Sequence, residues 1–443
     1  MASTSHLFFT LILITLACSA ELQPWTDWDK LQSCTPSFYS NVFTREEELV
    51  AFLKGSSSWD QVKVVGAGHS FSSITLTDDG EGQTAMLNLD SYSGIVSVEE
   101  GDQDGVKHVE VKAGTRLRDL NTLLEARGLA LINLGATAAQ SIAGAISTST
   151  HGTGSSLGSI SSDVVGLRLI DAMGVVHDSR QEPNVLIYGR VSLGVLGVIS
   201  TVTIKAVPLF KMKLSKFDLP LTELLENHDA YLANYSRFQW STVPYTSTAT
   251  VLLREPVPLD TPITDCWADP PTYPCVDVSY KTLVDSLERY DNRTLYTECE
   301  HFIGRENTLP AVNDFLDFQE DVKDQHNESK CDLFFNIRYV AADDIPLSPM
   351  YQRDIAVLSF ICLGTIDHTG DSSEFKMYAS GLENLTKLNY DGVPHWGKQN
   401  WATYEDIAPF YQEMDDFNAF REKLDPRGIF LNDYTRVRLG LTT

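Results

Sequence analysis

The chain is poor in positive charge. Its 443 residues carry 34 Lys and Arg against 60 Asp and Glu, a formal net charge of −26. Such a surface repels phosphate backbones and anionic headgroups, which argues against nucleic-acid binding and for an uncharged substrate over a polyanion. Long apolar runs are also missing. Past the first twenty residues no stretch approaches 18 apolar residues, and the best, 355–364, has the length of a core strand. No internal repeat or low-complexity tract is present, and 10% aromatic residues must be buried somewhere, so the chain is globular.

Several catalytic signatures are absent too. There is no HExxH and no short CxxC spacing, so no metal ligand set is expected. Gly66-Ala67-Gly68 begins like a dinucleotide fingerprint, but Phe71 stands at the third glycine position. Gly392 to Lys398 has the spacing of a phosphate loop, but Gln399 replaces its Ser or Thr, and Pro394 and Trp396 would spoil the cradle.

What is present begins with a leader. Residues 1–20 hold a short apolar run from Leu7 to Ala17, followed by Cys18, Ser19 and Ala20, and read as a secretory signal peptide cleaved before Glu21. Without Cys18, six cysteines remain, an even number that suits disulfides, and Cys266 and Cys275 flank a Pro-rich loop as the best pair. Sequons at Asn234, Asn292, Asn327 and Asn384 fit the same compartment. The expectation is a secreted glycoprotein with no membrane span after leader removal.

Residues 21–207 are rich in glycine and short β-branched runs. Thr44-Arg-Glu-Glu47 reads as a capping box for a helix that Gly55 stops. Strands are expected over 62–65, 85–89, 94–98 and 106–111, then a helix capped by Thr115 with Leu117, Leu120 and Leu124 on one face and Gly128 at its end. Residues 164–171 and 175–178 read as a hairpin. This half is α+β without regular βαβ alternation. Residues 208–385 hold the proline loops, the sequon asparagines and acidic amphipathic stretches, and suit a second domain. The last segment, 386–443, returns to glycine and aromatics and includes a helix-like run over 417–424.

The motif that demands an explanation is Gly66-Ala67-Gly68-His69-Ser70, which taken alone is either a tight turn with an incidental His or part of a site. Other segments follow in order: Gly135-Ala-Thr, Gln140-Ser141-Ile-Ala-Gly144, Thr150-His151-Gly152-Thr-Gly154, Gly194-Val-Leu-Gly197-Val-Ile199, Pro394-His-Trp-Gly-Lys398 and Leu424-Asp-Pro-Arg-Gly428-Ile-Phe-Leu-Asn432. Together they resemble the aldonolactone and alditol oxidases (L-gulonolactone and D-arabinono-1,4-lactone oxidase-like) of the vanillyl-alcohol-oxidase flavoprotein superfamily, over nearly the whole mature chain.

The resemblance implies a two-domain α+β fold: a PCMH-type FAD-binding domain over 21–207, a substrate-covering cap over 208–385, and a C-terminal segment over 386–443 returning to the flavin. Gly66, Ala67, Gly68, Ser70, Ser141, Gly144 and Gly152 would line the cofactor, since glycine turns bring backbone N–H groups close to a pyrophosphate. His69 matches the histidine that bonds covalently to the flavin. His151 either braces its turn or meets the flavin, and the bracing role is favoured. Gly197 and Ile199 match the strand edge that meets the adenine. Gly135 either satisfies a turn or, as in relatives that act as oxidases, leaves O2 a way to the flavin edge.

The resemblance places Lys398 at the substrate pocket, where the residue alone would read as a surface group, and Ser141 where relatives contact substrate. Relatives carry Glu-x-Arg where this chain has Asn336-Ile-Arg338; Arg338 keeps its charge, but Asn336 has no useful basicity. Ile361 likewise replaces a polar residue of the alditol oxidases. Either the substrate differs or catalysis is impaired. The implied activity is hydride transfer from a CH–OH group of a small neutral lactone or polyol to FAD, with O2 as acceptor. The alternatives are oxidation of another alcohol and a non-catalytic flavin-binding role.

Overall fold

The computed structural model describes residues 24–441 other than 79, 81, 269, 285–294, 324–331 and 365–372. The expected leader, two sequon asparagines (Asn292 and Asn327) and Cys331 lie outside the described residues.

Three short strands, Phe38–Ser40, Thr84–Asn88 and Gln61–Val65, pair in parallel in that order. The middle strand is buried along its length, as a strand covered on both faces must be. A six-stranded antiparallel sheet follows. Its order is Val176–Asp178, Val164–Ile170, Val198–Pro208, Lys107–Lys112 and Ile95–Glu100, with Leu129–Ala130 paired to the far end of Val198–Pro208. The expected hairpin forms, with Val176 opposite Ile170.

The helices sit close to their expected places, with different caps. The helix Leu117–Glu125 buries Leu117, Leu120 and Leu124 completely. Thr115 does not cap it; its hydroxyl donates to the Lys112 carbonyl at 2.7 Å and accepts from Gly94 N–H at 2.9 Å, leaving Arg116 at the N-cap. The helix Glu46–Lys54 is boxed by Glu48 rather than Glu47. Its Oε2 accepts from the N–H groups of Thr44 and Arg45 at 2.8 and 3.2 Å, because the first helical turn starts at Glu46.

Strand Val198–Pro208 ends the six-stranded sheet, and Lys211–Pro220 enters another. That sheet has eight antiparallel strands in the order Cys275–Val278, Lys211–Pro220, Thr248–Val257, Arg237–Thr242, Asp332–Val340, Ile355–Leu363, Tyr296–Gly304 and Val393–Pro394. Alternation along each strand sends successive side chains to opposite faces. One face carries Trp240, Phe335, Tyr339, Leu358 and Phe360, packed with Leu224, Phe315 and Tyr378 from the helices Leu221–Asn234, Thr308–Asp321 and Ser373–Asn389. The other carries Gln239, Arg254, Glu298, Glu300, Asn336 and Arg338, all buried, turned towards the first half of the chain.

The C-terminal segment ties the halves together. Phe417, Phe420, Ile429 and Phe430 join the core under the six-stranded sheet. Val62 N–H donates to the Ile429 carbonyl at 2.7 Å, and Asn432 Nδ2 donates to the carbonyls of Ser73 and Leu76 at 2.8 and 2.9 Å.

Cys266 and Cys275 form the expected disulfide, and Cys362 is disulfide-bonded as well. Cys34 and Cys299 are buried free thiols, so the even count does not resolve into pairs throughout. Asn234 and Asn384 are exposed. Among the described residues no helix is long and apolar enough to cross a membrane.

Candidate active site

Two cavities lie side by side. The longer one is made by side chains that are missing. Strand Gln61–Val65 runs out into Gly66, where a Cβ would fall 2.6 Å from Ser141 Oγ. Gly197 has φ +143, and a Cβ there would meet the Ile170 carbonyl oxygen at 2.5 Å. Gly68, at φ +71, packs beneath Trp25 and Trp28. The space left encloses about 690 Å³ open to solvent, and Gly66, Ser70, Ser141, Gly144, Gly197 and Ile199 line it.

No Asp or Glu lines this cavity, although acids outnumber bases in the chain nearly two to one. Lys63 does, with its ammonium on the Phe430 carbonyl at 3.1 Å and burial pulling its pKa down to about 8. Backbone donors, one buried cation and no carboxylate suit the diphosphate of a dinucleotide.

The second cavity, about 460 Å³, shares Thr148 with the first. His69 stands in its wall, stacked on Trp28 with ring centroids 4.6 Å apart. Its Nδ1 is shut off from solvent and has no partner. Burial, then repulsion from Lys398 and Arg116, pushes its pKa down to about 3, so the imidazole is neutral at ordinary pH. A neutral ring with an unused nitrogen is what covalent attachment of a flavin needs. Gln140 offers a second buried polar atom without a partner, its Oε1.

The charges in this cavity come from register. Strand Tyr296–Gly304 places Glu298 and Glu300 on the polar face, and Val393–Pro394 pairs with Phe302 and His301. The chain beyond stays zipped to that strand: His395 N–H donates to the Glu300 carbonyl at 2.9 Å and Gln399 N–H to the Glu298 carbonyl at 3.0 Å. Lys398 is thereby set against Glu298, with which it forms an ion pair, and over the Phe71 ring at 4.8 Å. Phe71 N–H donates to the Gly397 carbonyl at 2.8 Å, fastening the same loop to the glycine turn.

Deeper in, Glu300 accepts from Ser359 Oγ at 2.8 Å and faces His151 Nε2 at 3.5 Å. Burial opposes its charge, but His151, Lys398 and His395 outweigh burial and hold its pKa well below the usual range. His395 is neutral: burial, Lys398 and His151 pull its pKa to about 3 against the attraction of Glu300. Its Nδ1 accepts from Gly397 N–H at 2.9 Å, so its proton sits on Nε2.

His151, Glu300 and His395 have metal-ligand atoms within 4.8 Å of one another. Both nitrogens of His151 face acceptor oxygens, the other being Gly152 O at 2.9 Å. His151 and Glu300 thus face each other, and His395 has its Nδ1 lone pair on Gly397 N–H.

The structure brings His69, Gly135, His151, Arg338 and Lys398 to the second cavity. Ser141 stands elsewhere: it is the N-cap of helix Ile142–Ser147, its Oγ accepting from Gly144 N–H at 3.3 Å, and it lines the long cavity only. Asn336 lines neither cavity. It is buried behind Arg338, its amide 3.1 Å from Gln239 and, turned to satisfy both its ends, accepting from Arg338 Nε at 3.2 Å. Gly152 lines a small third cavity with Arg338 and Arg254, and Ala67 lines none of the three.

Sequence reasoning passed over Glu298, Glu300, His395, Trp28 and Lys63. For the two acids a signal exists: Glu-Cys-Glu inside an apolar run puts two carboxylates on one face of a buried strand.

Comparison with known proteins agrees with this geometry. Residues 272–438 match the D-arabinono-1,4-lactone oxidase family and residues 42–180 an FAD-binding domain family. The chain is 31% identical to L-gulono-1,4-lactone dehydrogenase of Mycobacterium tuberculosis, over 94% of this chain and 99% of that one. It is 30% identical to L-gulonolactone oxidase of Bos taurus, over 92% and 96%. Among solved structures, a cholesterol oxidase from B. sterolicum superposes with a TM-score of 0.78 at 16% identity, covering 95% of this chain and 97% of that one, which shows the shared two-domain fold.

Proposed function

The chain belongs to the aldonolactone oxidase group of FAD flavoproteins and is an FAD-dependent oxidoreductase of CH–OH donors, and on that premise we propose that it oxidises a small neutral sugar lactone or polyol with O2 as final acceptor. The observation that carries this reading is the junction of the two cavities. A glycine-built cradle free of acids meets, at Thr148, a cavity holding His69, Lys398, Arg338 and two carboxylates. FAD, when bound, would supply the redox chemistry: two-electron acceptance from a carbinol C–H and reoxidation by O2 to H2O2.

The residues of the chain do the rest. Gly66, Ser70 and Gly144 offer main chain to the diphosphate, and Lys63 offers its charge. His69 is the group for a covalent link. Lys398 and Arg338 hold positive charge where oxygen anion character develops on the substrate. Gly135 leaves open the space where a Cβ would press on Thr150 Cγ2 at 2.9 Å, which supports access for O2. Glu298 and Glu300, with the chain's net charge, favour uncharged substrates. The apolar leader, the Cys266–Cys275 disulfide and the exposed Asn234 and Asn384 support secretion as a glycoprotein.

Anaerobic mixing with a panel of aldonolactones and alditols tests the reading. One compound should bleach the visible flavin absorbance, admitted air should restore it, and peroxide should appear. Colour that stays with acid-precipitated protein would report the covalent link, and a secreted chain beginning at Glu21 the cleaved leader. A folded protein without flavin, or a yellow protein that no CH–OH compound bleaches, would overturn the proposal.

A further inference from the structure

Oxidising an alcohol releases two hydrogens as different species. The C–H electron pair leaves as hydride to the two-electron acceptor, and the O–H bond gives up a proton that a side chain must receive as the carbonyl forms. Position 336 cannot receive it: Asn336 lacks basicity and lines neither cavity. His69 is taken up by the covalent link, and the remaining candidates fall away by their hydrogen bonds. His395 carries its proton on Nε2 and has its Nδ1 lone pair on Gly397 N–H. Both nitrogens of His151 face acceptors, and Glu300 is engaged by Ser359 and His151. Arg338 and Lys398 have protons to give rather than places to put one.

Glu298 is different. Its Oε2 is paired with Lys398, while its Oε1 has no hydrogen-bond partner among the described residues, and the side chain lines the cavity. Resting on the reading above, we propose that Glu298 is the proton acceptor of the reaction and that Lys398 is its partner, holding the carboxylate in place. The O–H bond breaks towards Glu298 Oε1, the C–H bond breaks towards the flavin, and the substrate leaves oxidised by two electrons with its proton on Glu298. Ile361, opposite Glu298 on the adjacent strand, keeps that carboxylate from a competing polar neighbour on this side. The charged and titratable groups around it are Lys398 and His395 from the C-terminal segment, His69 from the glycine turn, His151, Arg338 from the sheet, and Tyr296 and Glu300 from its own strand.

The test uses the flavin-loaded enzyme and the lactone or alditol that bleaches it best. Wild type should lose kcat/KM at acid pH as Glu298 takes up a proton. Glu298→Gln should lower kcat about 100-fold or more and abolish that acid limb. Binding of the same compound to the dithionite-reduced enzyme, read as a thermal shift without turnover, should change less than about threefold, since Gln still meets a hydroxyl. An acid limb that persists in Glu298→Gln, with kcat within about threefold of wild type, would overturn the assignment and leave the oxidoreductase reading intact.

If Glu298→Gln does not fold, Glu298→Asp decides. Drawing the carboxylate back by one methylene should lower kcat about tenfold or more with binding to the reduced enzyme unchanged, and a kcat within about threefold of wild type would overturn the assignment. A wild-type enzyme that no CH–OH compound reduces would instead remove the reading on which the assignment rests.

Discussion

The two cavities meet at Thr148, yet they are built by opposite means. The long one is defined by absent side chains: glycines at 66, 144 and 197 leave main chain facing open space, and Lys63 is the charged residue among its lining. The short one is defined by charges that strand register brings together: Glu298 and Lys398 are separated by 100 residues along the chain and joined by the pairing of 393–399 with Tyr296–Gly304. A site made of missing side chains should fail when bulk is added. A site made of paired charges should fail when pH or a partner changes.

Bulk in the cradle should therefore give the largest effect. At Gly197 an alanine would need φ +143, and its Cβ would lie 2.5 Å from the Ile170 carbonyl oxygen, a backbone atom that cannot rotate away. Gly197→Ala should cost about 3 kcal/mol or more and leave the protein largely without flavin. Urea unfolding and the ratio of visible to ultraviolet absorbance would measure both. Unchanged stability and full flavin content would mean that the cradle is not held by its glycines.

The same contrast explains what could be read in advance. Glycine motifs are local: Gly66 to Ser70 and Gly194 to Ile199 each sit on a few consecutive residues, so the cradle is visible in the sequence, as are the hairpin, the Leu117 helix and the disulfide loop. The charged cavity is not local. Whether Glu298 faces Lys398 depends on which strands neighbour Tyr296–Gly304 and in what register, and a slip of one residue would turn Glu298 away. Ser141 and Asn336 show the converse. Both sit in suggestive motifs, but Ser141 is engaged as a helix cap and Asn336 is buried behind Arg338, facts that only packing decides.

Acid should separate the two regions next. Burial, Lys398 and His151 hold His395 at about 3, against an ordinary 6.5 in the unfolded chain. The unfolded chain thus binds the proton first as pH drops, so the stability from keeping His395 neutral is present above pH 6.5 and is lost as pH falls towards 3. Replacing it by Gln should flatten stability against pH by up to about 1.4 kcal/mol per pH unit between roughly pH 6 and 4. Denaturant midpoints of wild type and His395→Gln across that range would show it. Lys63 in the cradle, with a pKa of about 8, stays charged throughout the window and contributes no slope there. Parallel curves for the two proteins would mean that acid sensitivity arises outside the charged cavity.

The smallest effect is the one that draws the boundary. Ser141 caps the helix Ile142–Ser147 by accepting from Gly144 N–H at 3.3 Å, a long bond at the start of a short helix. It faces the cradle and not Lys398. Ser141→Ala should then cost about 1 kcal/mol or less in stability, and the cavity by Gly66, whose Cβ position lies 2.6 Å from that hydroxyl, should become slightly roomier. KM and kcat for the sugar substrate should stay within roughly twofold, because nothing in the charged cavity has been removed. A stable Ser141→Ala enzyme with a kcat/KM reduced about tenfold would place that hydroxyl on the substrate and remove the division between the two cavities. Unaltered kinetics with a small loss of stability would instead confine substrate recognition to the charges that register assembles.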